Sequence, residues 1–235
     1  MQRTGKRRQE QQPDMYGGEM DYQSLFTFIL EMAGTIAFAA SGAMVGAQRG
    51  MDIFGVCVLG VVTAVGGGAT RDIILGIVPP GMFQDPLYTL VATITACIVF
   101  GVMYWKQELL EGENRLLYDK VMLVMDSIGL GVFTVMGVDK GIQQGYAGKM
   151  FFLVFLGTVT GVGGGLIRDI MAGVPPYIFV RHIYACASIV GAVVCVWVYR
   201  LFGGVPAMVT GTVVVILIRY LAAHYRWNLP RLRRE

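Results

Sequence analysis

One phrase, Gly66-Gly67-Gly68-Ala69-Thr70-Arg71-Asp72, returns later in the chain as Gly163-Gly164-Gly165-Leu166-Ile167-Arg168-Asp169. Each copy lies in a strongly apolar stretch, and each is followed by a proline pair, Pro79-Pro80 and Pro175-Pro176. Successive glycines disfavour a helix by roughly 1 kcal/mol each relative to alanine. Placing three of them twice, at matching positions, points to a duplicated unit in which one helix of each copy is broken. Within a bilayer, such irregular backbone is tolerated only where protein buries it or where it lines a water-filled cavity.

A bilayer is what the composition requires. The 235 residues are 55% hydrophobic and 15% charged, with a mean hydropathy of +0.59, whereas soluble domains run at about 45–50% apolar and about 25% charged. Seven apolar segments, at 24–47, 53–75, 87–105, 119–138, 150–172, 183–202 and 204–223, each approach the roughly 20 residues that a helix needs to cross. The expected fold is therefore an all-α membrane protein of seven transmembrane helices. Residues 1–23 are polar and Gln-rich and are expected to be disordered. The stretch 106–118 is the one strongly charged connection, and 224–235 is a basic tail.

The repeat extends well beyond the glycines. At an offset of 95, Glu31, Gly34, Phe38 and Gly42 align with Asp126, Gly129, Phe133 and Gly137; at 97, Gly60 and Thr63 align with Gly157 and Thr160. This defines repeat 1 at 24–105 and repeat 2 at 119–202, with a seventh helix at 203–223 outside the duplication. Three spans per unit is an odd number, so the second unit enters the membrane from the opposite side. That makes an inverted repeat about a pseudo-two-fold axis in the membrane plane. If the N-terminus lies outside and the C-terminus in the cytoplasm, eleven of the nineteen Lys and Arg residues fall on the cytoplasmic side. The positive-inside rule favours that orientation.

Several functional classes fall away. No Lys-Ser or Lys-Thr follows either glycine run, so neither is a phosphate loop. Cys57, Cys97, Cys186 and Cys195 sit in apolar runs without a CxxC pair, and with only His182 and His224 there is no metal-ligand cluster. No nucleophile, base and orienting group stand together as an enzyme requires, and the basic ends suit anionic headgroups, not nucleic acid.

The remaining polar residues define the candidate site. Gly66, Gly67, Gly68, Gly163, Gly164 and Gly165 would expose carbonyls and N–H groups to a polar guest, or would simply let helices approach closely. Arg71 lies about 27 Å along its helix by rise per residue, near the far interface. Arg71 and Arg168, each beside Asp72 or Asp169, are either interfacial anchors or charges lining a pathway. Glu31 and Asp126 are intramembrane carboxylates, suited to attract cations at the two mouths of a path or to pair with an arginine. Thr63, Thr70, Thr158, Thr160 and Ser41 add hydroxyls near the glycines, where bonding to their own helix carbonyls is the default. Tyr88, Tyr104, Trp105, Tyr118, Tyr177, Tyr184, Trp197, Tyr199 and Trp227 fall near span ends, as in an aromatic belt.

The phrases Glu31…Gly34-Thr35…Phe38-Ala39-Ala40-Ser41-Gly42 and Gly50-Met51-Asp52-Ile53-Phe54-Gly55, with both GGGxxRD–proline units, resemble the bacterial branch of the trimeric intracellular cation (TRIC) channel family over about residues 24–223. The resemblance implies seven helices as an inverted 3+3 repeat plus one, in a homotrimer with a separate pore in each protomer. It implies that the second and fifth spans kink at their glycines around that pore. K⁺ would be the main permeant ion, with Na⁺ also passing, and bound lipid and no cofactor would complete the picture. Some bacterial relatives are described as glycine transporters, so a carrier or channel for a small amino acid is the alternative.

Overall fold

The computed structural model describes residues 22–106, 115–180 and 183–227. Seven long helices are present: α1 (Tyr22–Gln48), α2 (Ile53–Ile74), α4 (Leu87–Trp105), α5 (Arg115–Gly141), α6 (Met150–Met171), α8 (Tyr184–Phe202) and α9 (Gly204–His224). All seven are long and apolar enough to cross a membrane. Two one-turn helices, α3 (Gly81–Gln84) and α7 (Tyr177–Val180), follow the proline pairs. The expected spans agree with the helices to within a few residues, apart from the start of α5. That helix begins at Arg115 and so takes in the last residues of the charged connection; 107–114 lie outside the described residues, as do 1–21 and 228–235. Tyr118 explains the early start: its hydroxyl donates to the Met44 carbonyl at 3.0 Å and ties the α5 N-terminus to α1. At its other end α5 runs on into a π-helical turn, Ile142–Tyr146, closed by Gly145 at φ 84°.

The two repeats end their central helices in the same way. After α2, Gly76 takes φ 72°, and the N–H of Ile77 reaches back to the Asp72 carbonyl at 2.9 Å. After α6, Gly173 takes φ 64°, and Val174 N–H reaches the Asp169 carbonyl at 3.0 Å. This left-handed glycine stop satisfies the last carbonyls of each helix. The proline pair then forbids a restart, and the chain makes one turn of α3 or α7 before α4 or α8.

Packing follows the repeat. α1, α2, α5 and α6 form the centre, with α2 against α6 and α1 against α5; α4 leans on α1 and α2, as α8 does on α6. The buried core includes Phe38, Leu59, Leu130, Val135, Leu153 and Leu156. Outward faces of α4 and α9 carry exposed Leu90, Ile94, Ile98, Val213 and Leu217, as lipid contact demands. α9 breaks the symmetry: it packs on α5 and α8, against repeat 2.

Candidate functional site

The glycine triplets do not break their helices. α2 and α6 remain α-helical through both, and none of the six glycines has a positive φ. The expected unwinding is replaced by a backbone crossing. A methyl group at Gly67 would run into the Thr160 carbonyl oxygen, and one at Gly164 into the Thr63 carbonyl oxygen. A Cβ on Gly163 would sit 3.2 Å from the Gly67 Cα. The helical cost of glycine is thus offset by an approach that no side chain permits. The outer glycines do different work. Gly66 abuts Ile167, Gly68 faces the Arg71 guanidinium, and Gly165 lies against the Tyr184 hydroxyl with the Arg168 guanidinium farther off. The hydroxyls of Thr63, Thr70, Thr158 and Thr160 bond to carbonyls one turn back in their own helices, at 2.6–2.9 Å, as expected.

Each arginine is held by its neighbour. Arg71 Nε donates to Asp72 Oδ1 at 2.9 Å, and Arg168 Nε donates to Asp169 Oδ1 at 2.8 Å. The second carboxylate oxygen of each aspartate accepts a backbone N–H from the turn after the prolines: Gly81 N–H to Asp72 Oδ2 and Tyr177 N–H to Asp169 Oδ2, both at 2.8 Å. The Arg-Asp dipeptide, the glycine stop and the proline pair are therefore one device, repeated twice.

Beyond this shared frame the two sites diverge. In repeat 1 a cavity of about 290 Å³ opens beside Arg71. Glu31, Asp72, Asp85, Tyr88, Lys140 and Phe133 line it, with Gly68 on its wall. Glu31 is half-buried there and accepts from the Tyr88 hydroxyl at 2.6 Å, where an arginine partner was one of the expectations.

Repeat 2 presents a sealed core instead. Arg168 is fully buried, so the reading of this residue as an interfacial anchor does not hold. Its Nη1 donates to Asp126 Oδ1 at 2.6 Å and also to Ser41 Oγ of α1. On the other side of Asp126 stands Arg219 of α9, its Nη2 3.5 Å from Asp126 Oδ2 and its guanidinium 4.8 Å over the Tyr184 ring. The Arg168 guanidinium lies 5.2 Å from the Tyr177 ring. Two arginines and two aspartates thus face one another with exposures of 0–4%, opposite charges offsetting burial, while Asp126 Oδ2, Arg168 Nη2 and Arg219 Nη2 have no hydrogen-bond partner among the described residues. Between the halves, Phe38 and Phe133 stack with centroids 5.3 Å apart. Phe133 lines the open cavity, while Phe38 lies against Gly129 and Gly164.

Tyr88, Tyr177 and Tyr184 therefore belong to the site and not to a belt. Arg219, Asp85 and Lys140 were not among the expected residues. Arg219 carries the signal that could have found it, a lone charge within a long apolar helix. That helix has no counterpart in the other repeat, so the internal alignment passes over it.

The family model described as "Glycine transporter" matches this chain twice, over residues 28–104 and 123–200, one match per repeat. The UPF0126 inner membrane protein YadS of Escherichia coli is 39% identical over 209 residues, covering 88% of this chain and 96% of its own. Among solved structures, a prokaryotic TRIC channel crystallised in 0.5 M KCl superposes with a TM-score of 0.79 at 28% identity, covering 87% of this chain and 99% of that one. The TRIC orthologue from Rhodobacter sphaeroides gives 0.76 at 29% identity, over 86% and 98%.

Proposed function

We propose that this chain, which belongs to the bacterial branch of the TRIC channel family, is a passive, K⁺-permeable cation channel. Its pore would run between the two glycine-bearing helices of each protomer. The carrying observation is the one-sided cavity of repeat 1, about 290 Å³, lined by Glu31 and Asp85 and walled by Gly68 of the glycine-bearing α2. Arg71 is neutralised by Asp72, so the lining leaves two carboxylates, Glu31 and Asp85, against Lys140. A weakly acidic, low-dielectric vestibule concentrates cations. The path is shut in this conformation. Past the Phe38–Phe133 stack stands the Arg168–Asp126–Arg219 cluster, whose two positive charges are balanced only when Asp169 is counted with Asp126. Conduction would require that cluster to rearrange.

On this reading the protein is a homotrimer in the bacterial inner membrane, with a pore in each protomer, N-terminus outside and C-terminus in the cytoplasm. K⁺ would be the main ion, Na⁺ would also pass, bound lipid would fill in around the helices, and no cofactor is needed. The test is a planar-bilayer recording of the purified chain with K⁺, Na⁺ and glycine on opposite sides. Single-channel currents that reverse with the K⁺ gradient support the channel. Silence in K⁺, together with uptake of labelled glycine into liposomes, would sink it.

A second reading, a small amino-acid permease, draws on one observation. The same cavity offers carboxylates at Glu31 and Asp85 and a cation at Lys140, a lining that suits a zwitterion.

A further inference from the structure

On the outer face of repeat 1, away from both polar sites, two thiols meet. Cys57 of α2 and Cys97 of α4 lie with their sulfurs 3.4 Å apart, 40 residues apart in sequence. Cys97 is exposed and Cys57 partly so. They share a surface groove of about 500 Å³ whose other walls include Ile53, Phe54, Val58 and Thr93. Its lining is almost wholly apolar, so it opens onto lipid.

The neighbouring contacts hold the two helices in register at this level. Ala96, next to Cys97, sits against Gly60 of α2, one turn beyond Cys57; a methyl group on that glycine would lie 2.9 Å from the Ala96 Cβ. Repeat 2 builds the same crossing from Gly157 and Ala192. Through that correspondence Cys57 and Cys97 align with Val154 and Val193. The duplicated scaffold therefore does not need thiols at this crossing, since valines serve in the other copy, and only repeat 1 brings two cysteines together.

We propose that Cys57 and Cys97 are a reversible redox pair, oxidised from the lipid phase to a disulfide that staples α2 to α4. Disulfide sulfurs lie about 2.05 Å apart, so these two, at 3.4 Å, need close by only about 1.4 Å to bond. The oxidant is a lipid-soluble quinone. Two S–H bonds break and one S–S bond forms; the two electrons and two protons pass to the quinone, leaving quinol. A thiol reductant reverses the step by exchange. Because α2 is also the glycine-crossing helix, the staple would hold it against α4 and resist its movement relative to α6. That consequence rests on the channel reading; the bond itself does not.

The experiment uses the full chain in liposomes, treated with a fully substituted, lipid-soluble benzoquinone. Cysteines left open to a maleimide in denaturant are then counted by intact mass. The expected count falls from four, the number in the chain, to two, peptide mapping joins Cys57 to Cys97, and dithiothreitol restores four. Cys57→Val and Cys97→Val, borrowed from repeat 2, should each keep three before and after. Oxidation should lower K⁺ flux by about twofold or more in the unmodified chain alone. Four open thiols after quinone treatment, or a disulfide joining two copies of the chain, overturns the pair. An intramolecular disulfide with unchanged K⁺ flux overturns the staple's hold on α2. If no K⁺ flux appears in any redox state, the channel reading fails while the thiol count still decides the pair.

Discussion

The two arginine sites start from one sequence device and end in opposite states. Both carry the same Arg-Asp pair, the same glycine stop and the same N–H donated from beyond the prolines. In repeat 1 the carboxylate facing the arginine is Glu31, held by a tyrosine, and space remains beside it. In repeat 2 it is Asp126, one methylene shorter, gripped by Arg168 and approached by Arg219. Ser41 of α1 adds a hydroxyl to the repeat 2 cluster, whereas the aligned position on α5 is Met136. The difference teaches that the duplication builds the frame, while residues outside the frame decide which half is open. α9, the unduplicated helix, supplies the most important of them.

The largest test of this asymmetry is to remove each arginine. Arg168→Ala leaves Asp126 buried with the Ser41 hydroxyl and Arg219, each at 3.5 Å, and stranding a buried charge costs about 3–5 kcal/mol. Arg71→Ala leaves Asp72 with its Gly81 N–H and access to the cavity, so its cost should stay near about 1 kcal/mol. Thermal unfolding in detergent should therefore separate the two variants clearly, and equal losses would mean that the halves are energetically alike. Arg168→Ala combined with Asp126→Ala should recover little of the loss, because Arg219 then stands buried without its carboxylate.

Where the halves are alike, they should fail alike. Gly67→Ala and Gly164→Ala each drive a methyl into a facing carbonyl, and overpacking of this kind costs about 1–3 kcal/mol. Matching losses of folded protein from both support a symmetric crossing. Tolerance of one and not the other would show that only one helix sets the spacing.

The crossing also marks how far the sequence carries. The triplets signal something unusual because glycine is so poor in helices, and the seven spans, the repeat and its inversion all follow from hydropathy and counting. Whether the glycines unwind or cross was not legible, because both uses demand a missing side chain; only the carbonyls of Thr63 and Thr160, brought from the other repeat, decide it. Asp126 and Arg168 were visible as intramembrane charges, yet their pairing depends on a register 42 residues apart. Arg219 lay beyond the repeat altogether. The tyrosines were read as a belt because their place at span ends fits both roles.

A smaller effect concerns the open half. Glu31→Gln keeps the size of the side chain and removes its charge. Loss of a vestibule charge should lower K⁺ flux by about twofold to tenfold, with stability nearly unchanged because Glu31 is only half-buried and bonds a neutral hydroxyl. Asp126→Asn should behave in the reverse sense, with unfolding affected first, because it weakens the carboxylate that Arg168 and Arg219 share. Flux measured beside unfolding for both variants tells a vestibule from a structural core.

The finest test is Tyr88→Phe. The Tyr88 hydroxyl is the hydrogen-bond donor that the structure gives Glu31, at 2.6 Å, and it spans α4 to α1. Removing it forfeits one hydrogen bond to a carboxylate, about 0.5–1.5 kcal/mol, and in a cavity open to water the lower end applies. The carboxylate keeps its charge, so K⁺ flux should change by less than about twofold. The corresponding change in repeat 2, Tyr184→Phe, removes a hydroxyl that is buried without a hydrogen-bond partner among the described residues. That change should cost nothing measurable in stability, because the ring that lies against Arg219 is retained. A larger loss at Tyr184 than at Tyr88 would reverse the assignment of the two tyrosines. It would place the working hydroxyl in the closed half and leave Glu31 held by the field of the cavity alone.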